Sequence, residues 1–552
     1  MNPSVAYHAA RRLLRRASAA DWASYCVLTV IVCAAVAHSR SYAGVIIDDS
    51  FITFRHAWNL VHGQGFTCNP GERIEGTSSP LWGFAMALPI ALGIAPNIAA
   101  THIATVAFAV CVVVAYLTVR TLLPEPASRL LGLGAASVVA ASPTLAFHGQ
   151  TGLETLPYAC LLAVGIWLHL GCLKSGRVST GWAVVMGVAA LTRPEGFVFF
   201  LCLQGFAVVA RLGKQDGRRS AAQELVAFGC VWGSWLIFRL FYFGRWFPNS
   251  VLAKSGHLTA AVHSWADAIR LMSHGPGTEM VARYASANAL GMGLLLGALL
   301  LTSVRYPIFI AVAFTVGYAA VATWNGGDWM PHDRLLTPCV APLAVGAALG
   351  LRGFLYHSEQ RNHGHWPSVV VTVLVFGAIV ASNQRLPKQV GIGPVKDLAR
   401  IREMGTRLAS VRRSDDRVVS SMAGILPYYW GAQTVDAYGL CDAHIAEHGA
   451  LMPVGIGRFD PSYVAGMQPT FYAFEYSFVA AEFYELPVFA PHRDEYYMLQ
   501  YPYGYLGSTA FDPPVLLVRK DRPEVERIAQ ALGARLVDLG QELRRMGFLR
   551  KT

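Results

Sequence analysis

The chain has 552 residues, of which 54% are hydrophobic and only 14% are charged, whereas a soluble domain carries about 25% charged residues. This composition excludes an ordinary soluble protein and predicts an integral membrane protein. The Lys and Arg residues outnumber the acidic residues, 45 against 34, but they fall in short clusters between apolar spans. Positive-inside topology therefore explains the net charge of +11 better than nucleic-acid binding does.

The first membrane span is predicted close to the N-terminus. Four arginines between positions 11 and 16 precede the first acidic residue, Asp21, so we expect a cytoplasmic N-terminus. The apolar run at 22–43 is too long for a signal-peptide core and lacks a convincing cleavage site. It is predicted to be an uncleaved first membrane helix.

Ten further apolar segments raise the predicted number of spans to about eleven, since a bilayer core requires about 20 apolar residues. The longer ones lie near 97–119, 128–147, 155–173, 224–243, 286–303, 306–324 and 335–352. The shorter ones lie near 179–192, 196–211 and 367–382. The run at 80–94 is short and bounded by proline, so we expect an interfacial helix or a partial span.

Alternation of these spans from a cytoplasmic N-terminus separates two kinds of loop. The loops assigned to the cytoplasmic side carry the basic patches, at Arg120, Lys174, Arg177, Arg211, Lys214, Arg218, Arg219, Arg305, Arg352 and Arg361. The loops on the opposite side are polar and contain glycine and charges of both signs. We therefore expect the chemistry on the outer face of the membrane.

The last 170 or so residues differ from the rest, because charges return at the frequency of globular proteins. Helix-like patterns at 395–408 and 524–536 alternate with short apolar runs at 417–420 and 514–518. The sequence therefore predicts a transmembrane domain at 1–382 and a soluble α/β domain at 383–552. The latter is expected to lie outside the cytoplasm, over the outer mouth of the membrane domain.

Asp48 and Asp49 stand together in the first outer loop, 45–80, where the first apolar span ends. Carboxylates beside hydrocarbon are costly to desolvate, so such a pair is expected where it meets water, a cation or a substrate. The pair could simply mark the charged end of the first membrane helix. Alternatively, one carboxylate acts as general base toward a sugar hydroxyl, while the other binds a divalent ion or sugar hydroxyls. Arg55 and Glu75 of this loop are further candidates for sugar or acceptor binding.

Two outer junctions carry Arg193 with Glu195, in the segment LTRPEG, and Glu154, in TGLET. Arg193 could be a snorkelling interfacial arginine with a local ion pair, or part of an anion site. Glu154 could be a first-turn acid that complements the helix dipole, or a ligand for a hydroxyl or a cation. We treat Glu154 and Glu195 as candidate sugar or acceptor ligands.

Two later junctions read PNSVLAK and GGDWMPHDRLLTP. The first offers Asn249 and Lys254, and the second offers Asp328, His332 and Arg334. A structural role is the simpler alternative for an interfacial histidine. If the substrate carries a lipid phosphate, Lys254, His332 and Arg334 are the cations that would neutralise it, whereas Asn249 and Asp328 are candidate sugar or acceptor ligands.

Six segments in order resemble the membrane arabinofuranosyltransferase family: IIDDSFITFRHAWNLVHGQGFTCNPGERIEG, TGLET, LTRPEG, PNSVLAK, GGDWMPHDRLLTP and DAYGLCDAHIA. The resemblance covers essentially the whole chain and implies a GT-C glycosyltransferase fold. It implies a polyprenyl-phosphate sugar donor, typically decaprenyl-phosphoryl arabinose, and a glycan or glycoprotein acceptor in the cell envelope. It also makes Asp48 and Asp49 the counterparts of the family's first-loop aspartates.

The expected mechanism follows from both lines of reasoning. Asp48 or Asp49 deprotonates an acceptor hydroxyl, while Lys254, His332 and Arg334, with Arg193, stabilise the departing polyprenyl phosphate. The donor bond supplies the energy, so no nucleotide site is required, and the sequence contains no Walker-type P-loop. No cofactor is required either, although Asp48 and Asp49 could hold a divalent cation.

The two alternative functional classes are a lipid transporter and a catalytically silent assembly protein. A transporter of polar lipids would place charges along a midplane path, with matched broken helices in two halves, whereas the motifs here cluster at one face. A catalytically silent assembly protein of the same family is the second alternative, and the presence of both aspartates argues against it. Cys68 and Cys441 are both expected outside, and we hypothesise that a disulfide between them connects the first loop to the tail.

Overall fold

The structure is a computed structural model. It describes residues 18–176, 179–212, 217–254, 275–301, 305–328, 330–359, 366–384, 393–452, 457–474, 483, 486–500 and 515–545. Three basic residues of the predicted cytoplasmic loops, Arg177, Lys214 and Arg361, lie outside the described residues.

The part before residue 385 is helical. Its helices are Ala19–Arg40, Asp48–Val61, Pro80–Ala91, Pro96–Leu122, Ala127–Ala140, Pro143–His148, Thr155–Ser175, Gly181–Thr192, Glu195–Ala210, Gly217–Phe243, Asn249–Lys254, Pro276–Ala287, Ala289–Leu301, Arg305–Trp324, Val340–Glu359 and Trp366–Asn383, with a 3-10 helix at Arg334–Cys339. Every predicted span coincides with at least one of these helices, because long apolar runs satisfy their backbone groups only as helices in a bilayer.

Six of the described helical segments are long and apolar enough to cross a membrane. Arg334–Tyr356 and Pro96–Leu122 are the most buried of them, whereas Ala19–Arg40 and Gly217–Phe243 are the least buried. The first pair therefore forms the centre of the helical bundle, and the second pair lies at its periphery. Peripheral apolar side chains such as Phe241, 86% exposed, are suited to contact lipid. Six further apolar helices are shorter.

The first outer loop contains a helix at Asp48–Val61, named here the loop helix. It begins with Asp48 and Asp49, and acidic residues in a first turn complement the helix dipole. Its buried Phe51 and Phe54 belong to one apolar cluster that includes Trp82 of the next helix and Ile425 of the C-terminal region. The loop helix therefore lies between the membrane helices and that region.

The C-terminal region, residues 393–545, is named here the tail. Its helices are Gly393–Ala409, Ile425–Trp430, Ala443–His448, Pro461–Gly466, Val525–Leu532 and Leu539–Arg545, with a 3-10 helix at Ala490–Glu495. Its strands are β1 (Arg417–Ser420), β2 (Gln433–Asp436), β3 (Ala450–Leu451), β4 (Arg458–Phe459), β5 (Phe471–Phe474), β6 (Tyr496–Gln500), β7 (Val515–Arg519) and β8 (Arg535–Asp538).

Six of these strands form one sheet in the order β2-β1-β5-β7-β6-β8. Strand β1 is parallel to β2 and β5, whereas β7 is antiparallel to β5 and β6, and β8 is antiparallel to β6. Successive side chains of β1 enter different apolar clusters, Val418 on one face and Val419 on the other, as the period of a strand requires. Both faces of the sheet are therefore covered.

One predicted element of the tail was wrong in extent. The helix expected at 524–536 ends at Leu532, and Arg535–Asp538 forms β8 instead. Gly533 has a φ of +63°, a left-handed conformation that commonly ends a helix.

The parallel strands β1 and β2 point their carboxyl ends at the membrane part. The segment after β1 contacts the loop helix through Gly424, and the segment after β2 contacts the helix Asn249–Lys254 through Gly439. Ligands of open α/β sheets bind at this edge of the strands. Here the edge lies against the ends of the membrane helices.

Candidate active site

A cavity of about 550 Å³ lies where the loop helix, the ends of the membrane helices and the tail meet. This size falls within the range of small-molecule sites, about 300–1,000 Å³. The cavity brings together seven of the residues singled out in the sequence, although they come from five separate segments. They are Asp49, Glu154, Arg193, Glu195, Lys254, Asp328 and Arg334.

Asp48 and Asp49 have different surroundings although they are consecutive. The Asp48 carboxylate accepts hydrogen bonds from the backbone N–H groups of Gly424, at 3.0 Å, and Ile425, at 2.7 Å. A Cβ atom at Gly424 would lie 1.9 Å from the Asp48 carbonyl oxygen, so only glycine fits there. Asp49 lines the cavity, where its Oδ2 atom lies 3.5 Å from Nζ of Lys254.

Burial and, to a smaller extent, the nearby Asp49 charge raise the pKa of Asp48 from 3.8 to about 7, although the two backbone donors act in the opposite direction. The two aspartates therefore have different partners, the backbone of the tail for Asp48 and Lys254 for Asp49. Within the ranges that the structure describes, no group of three His, Cys, Asp or Glu side chains is arranged to hold a metal ion.

Each of the three cations in the cavity pairs with at least one carboxylate. Arg193 donates to Glu195 at 2.8 Å and to Glu154 at 3.2 Å, and Arg334 donates to Asp328 at 2.7 Å. The two arginine side chains are only 12% and 13% exposed, so water screens these pairs weakly. Lys254 is 29% exposed, and its contact with Asp49 is the longest of the four. It is therefore the cation most easily drawn to a bound anion.

His332 does not line the cavity, which departs from its expected phosphate-binding role. Its ring packs against Phe147, at 4.4 Å between ring centroids, and against Tyr42, at 5.8 Å. Burial lowers its pKa to about 4, so the ring is neutral at pH 7. A neutral, apolar-packed imidazole contributes no positive charge to an anion site.

Glu75 is also placed differently from its expected contact with sugar or acceptor. It forms a buried two-point ion pair with Arg239, in which Nε lies 2.6 Å from Oε2 and Nη2 lies 3.1 Å from Oε1. Arg239 belongs to the helix Gly217–Phe243 and was missed in the sequence. A single arginine inside an otherwise apolar span was the signal that could have identified it.

Arg55 and Asn249, both expected near the sugar or acceptor, contact the tail instead. Arg55 donates to the side chain of Asn69 at 2.9 Å and to the carbonyl of Ala432 at 2.8 Å. Asn249 donates to backbone carbonyls of the tail, the nearest being that of Gly439 at 2.8 Å. Both side chains therefore join the membrane part to the tail.

The hypothesis of a disulfide between Cys68 and Cys441 is confirmed. The bond connects the first loop to the tail directly behind the cavity wall. A Cβ atom on Gly76, which lines the cavity, would lie 2.4 Å from the sulfur of Cys441, so the wall approaches the bond closely because this residue is glycine.

Several uncharged residues of the cavity were not predicted from the sequence. Thr53 and Thr77 line it, with their hydroxyl oxygens 2.9 Å apart, as do Ser250, Trp324 and Asn325. Trp324 and Asn325 directly precede the glycines of an outer junction that the sequence analysis had identified. Their position at the end of an apolar span was the only available signal.

This architecture, a bundle of apolar helices with a polar cavity beneath an α/β tail, defines a multi-pass membrane protein of the GT-C fold. The apo structure of ArnT from Cupriavidus metallidurans matches with a TM-score of 0.56 over 94% of this chain and 100% of that chain. ArnT bound to undecaprenyl phosphate matches with a TM-score of 0.53 over 91% and 98%. Both are 13% identical to this chain, so they establish the fold alone.

In sequence, the chain is 28% identical over 345 residues to the terminal beta-(1->2)-arabinofuranosyltransferase of Mycobacterium tuberculosis. The match covers 54% of this chain and 51% of that protein, so the chain spans about half the length of the curated relative it matches. Residues 394–515 also match a domain of unknown function, DUF8728. The resemblance to arabinofuranosyltransferases is confirmed.

Proposed function

We propose that the protein is a membrane glycosyltransferase that transfers arabinofuranose from a polyprenyl-phosphate donor to a hydroxyl of a cell-envelope glycan or protein, on the outer face of the membrane. The observation that carries the proposal is the pairing of Asp49 with Lys254 in the cavity at the membrane edge. The named activity of the mycobacterial relative supports arabinofuranose as the sugar. The ArnT complex with undecaprenyl phosphate supports a lipid-phosphate donor.

The proposed division of labour assigns the proton transfer to Asp49. Its carboxylate is partly exposed in the cavity, whereas both oxygens of Asp48 accept backbone hydrogen bonds from the tail. Asp49 takes the proton of the acceptor hydroxyl as the new bond from oxygen to the anomeric carbon forms. The bond from the anomeric carbon to the phosphate oxygen breaks, and polyprenyl phosphate leaves with the electron pair.

Lys254 is proposed to bind the donor phosphate. The donor phosphodiester that enters the cavity competes with Asp49 for the ammonium group, and its contact with Lys254 strengthens as a second negative charge develops on the departing polyprenyl phosphate. The same movement releases the Asp49 carboxylate for the acceptor. Arg334 donates to Asp328 from Nε, and its terminal nitrogens make no hydrogen bond recorded in the described part of the chain, so we assign it as a second phosphate ligand.

The remaining cavity carboxylates suit the sugar. Arg193 fixes Glu154 and Glu195, and Arg334 fixes Asp328, so these three acids are oriented before a substrate binds. Oriented acceptors of this kind recognise sugar hydroxyls by hydrogen bonding. We propose Glu154, Glu195 and Asp328 as sugar ligands, with Arg193 as the residue that orients the first two.

The test is transfer of radiolabel from decaprenyl-phosphoryl arabinose to a panel of arabinoside and glycoprotein acceptors by the purified full-length protein. Asp49→Asn is expected to lower kcat at least about 100-fold, the scale of general-base catalysis, while donor binding persists. Asp415→Asn is the matched control, because that side chain is 73% exposed. It should retain the parental rate.

Two results would overturn the proposal. If the parent is active and the Asp49→Asn variant is equally active, Asp49 is not the general base. A parent that binds the donor but transfers no sugar to any acceptor favours the catalytically silent assembly protein.

A further inference from the structure

We infer that Asn249 is a positioning residue that, with the Cys68–Cys441 disulfide, fixes residues 437–442 of the tail and so holds Leu440 in the wall of the proposed catalytic cavity. These residues are named here the tail turn. The inference rests on the proposed function and extends it, because it makes the tail a working part of the site.

The tail turn is a preorganised structure. The carboxylate of Asp436 accepts hydrogen bonds from the backbone N–H groups of Tyr438 and Cys441, both at 2.9 Å. Gly439 adopts a φ of +77°, which non-glycine residues rarely do. These constraints close the turn and leave several of its carbonyl groups directed outward.

Asn249 binds those carbonyl groups with one side-chain nitrogen. Its Nδ2 atom donates to the carbonyl oxygens of Gly439 at 2.8 Å, Leu440 at 3.2 Å and Asp442 at 3.0 Å. An amide nitrogen carries two hydrogens, so the three acceptors share them. Asn249 is 1% exposed, so water cannot replace the amide without rearrangement. This position therefore requires a hydrogen-bond donor, because a carboxylate of the same shape would oppose three carbonyl dipoles.

The same residue begins the helix that ends at Lys254. Ser250, Val251 and Lys254 of that helix line the cavity, and Leu440 lines it from the tail turn. Asn249 therefore connects two walls of the cavity through one amide. Its own backbone N–H donates to the carbonyl of Glu75 at 2.9 Å, so the connection is anchored to the first loop as well.

The disulfide holds the tail turn from a second direction. Cys441 follows Leu440 directly and is bonded to Cys68 of the first loop. With Asn249 on one side and Cys68 on the other, Leu440 has little freedom to move. Loss of either connection should leave the other in place, and loss of both should release the wall.

Two substitutions of Asn249 distinguish its role as a hydrogen-bond donor from simple packing. Asn249→Asp keeps the shape and removes the donor, whereas Asn249→Ala removes both. If the amide positions the turn, kcat should fall about 10- to 100-fold in Asn249→Ala, on the scale of lost buried hydrogen bonds, and further in Asn249→Asp. Near-parental activity of Asn249→Asp would overturn the inference.

The second measurement combines Asn249→Ala with Cys68→Ser/Cys441→Ser. We expect the combined loss in kcat to exceed the product of the separate losses, as for coupled neighbours. Backbone hydrogen exchange of residues 437–446 should be faster in each variant than in the parent, and fastest in the combined variant. Cys230→Ser, at an exposed free cysteine, is the matched control and should change neither.

The two measurements, activity and hydrogen exchange, distinguish failure of the proposed function from failure of the inference about Asn249. If the parent transfers no sugar but exchange of the tail turn accelerates as expected, the proposed function fails while the positioning of the turn stands. If the parent is active and both readouts are unchanged in the combined variant, the inference fails and the proposed function stands.

Discussion

The Oδ2 atom of Asp49 lies 3.5 Å from the Nζ atom of Lys254 at the edge of the membrane part. The two residues are separated by 205 positions in the chain, yet both line the same cavity. In the proposed mechanism, this ion pair places the proton acceptor beside the phosphate-binding cation before any substrate enters.

Replacement of Lys254 should therefore affect the donor first. Lys254→Gln removes one charge-assisted contact, which contributes about 1.5–3 kcal/mol, so we expect the KM for donor to rise about 10- to 100-fold. The KM for acceptor should change little. Initial-rate measurements at varied donor and acceptor distinguish the two, and Lys254→Arg should restore part of the donor affinity. A rise confined to the acceptor KM would contradict the assignment.

Asp48 should make the stability depend on pH. Burial raises its folded-state pKa to about 7, whereas the unfolded chain releases this proton near pH 4. Between these values the folded protein binds more protons, so the contribution of Asp48 is greatest at low pH and is lost as the pH rises toward 7.

Asp48→Asn removes that dependence. The Tm of the parent minus that of the variant should decrease from pH 5 to pH 8, in thermal unfolding followed in detergent. Asp415→Asn should show a constant difference over the same range. A Tm difference for Asp48→Asn that grows with pH would contradict the raised pKa.

Glu75→Ala should destabilise the fold strongly. The substitution leaves the Arg239 guanidinium buried without its partner, and loss of one member of a buried pair costs about 3–5 kcal/mol. We expect a clearly lower Tm and folded yield, partly recovered in Glu75→Ala/Arg239→Met. Glu403→Ala is the control, since its pair with Arg407 is 60% and 47% exposed and contributes below about 1 kcal/mol. Equal effects of the two glutamate substitutions would contradict the prediction.

Gly424→Ala should loosen the tail. The new Cβ would lie 1.9 Å from the Asp48 carbonyl oxygen, so the backbone would have to shift, at about 1–3 kcal/mol. Limited proteolysis should cleave the chain around the tail faster than in the parent, with the fragments separated under reducing conditions because the Cys68–Cys441 bond otherwise holds them together. Gly171→Ala, whose Cβ would meet nothing within 4 Å, should leave the cleavage rate unchanged. An unaltered pattern for Gly424→Ala would mean that this contact is dispensable.

The sequence predicted the helical spans well, because the bilayer sets both their length and their apolar character. It also found the seven charged residues that line the cavity, since charges at the ends of apolar spans are costly unless they have partners. It could not identify those partners. Glu75 meets Arg239, and Asn249 meets Gly439, across 164 and 190 positions, and no local pattern encodes such contacts. For this reason Arg55, Glu75 and Asn249 were predicted to bind ligands although they join parts of the fold.

The bond between Cys68 and Cys441 restricts how the intervening chain is threaded through the bilayer. A disulfide is too short to reach across a membrane, so both cysteines lie on the same side. The 373-residue interval between them must then cross the bilayer an even number of times. The ten spans predicted in that interval meet this parity. Any topology with an odd number of crossings there is incompatible with the bond.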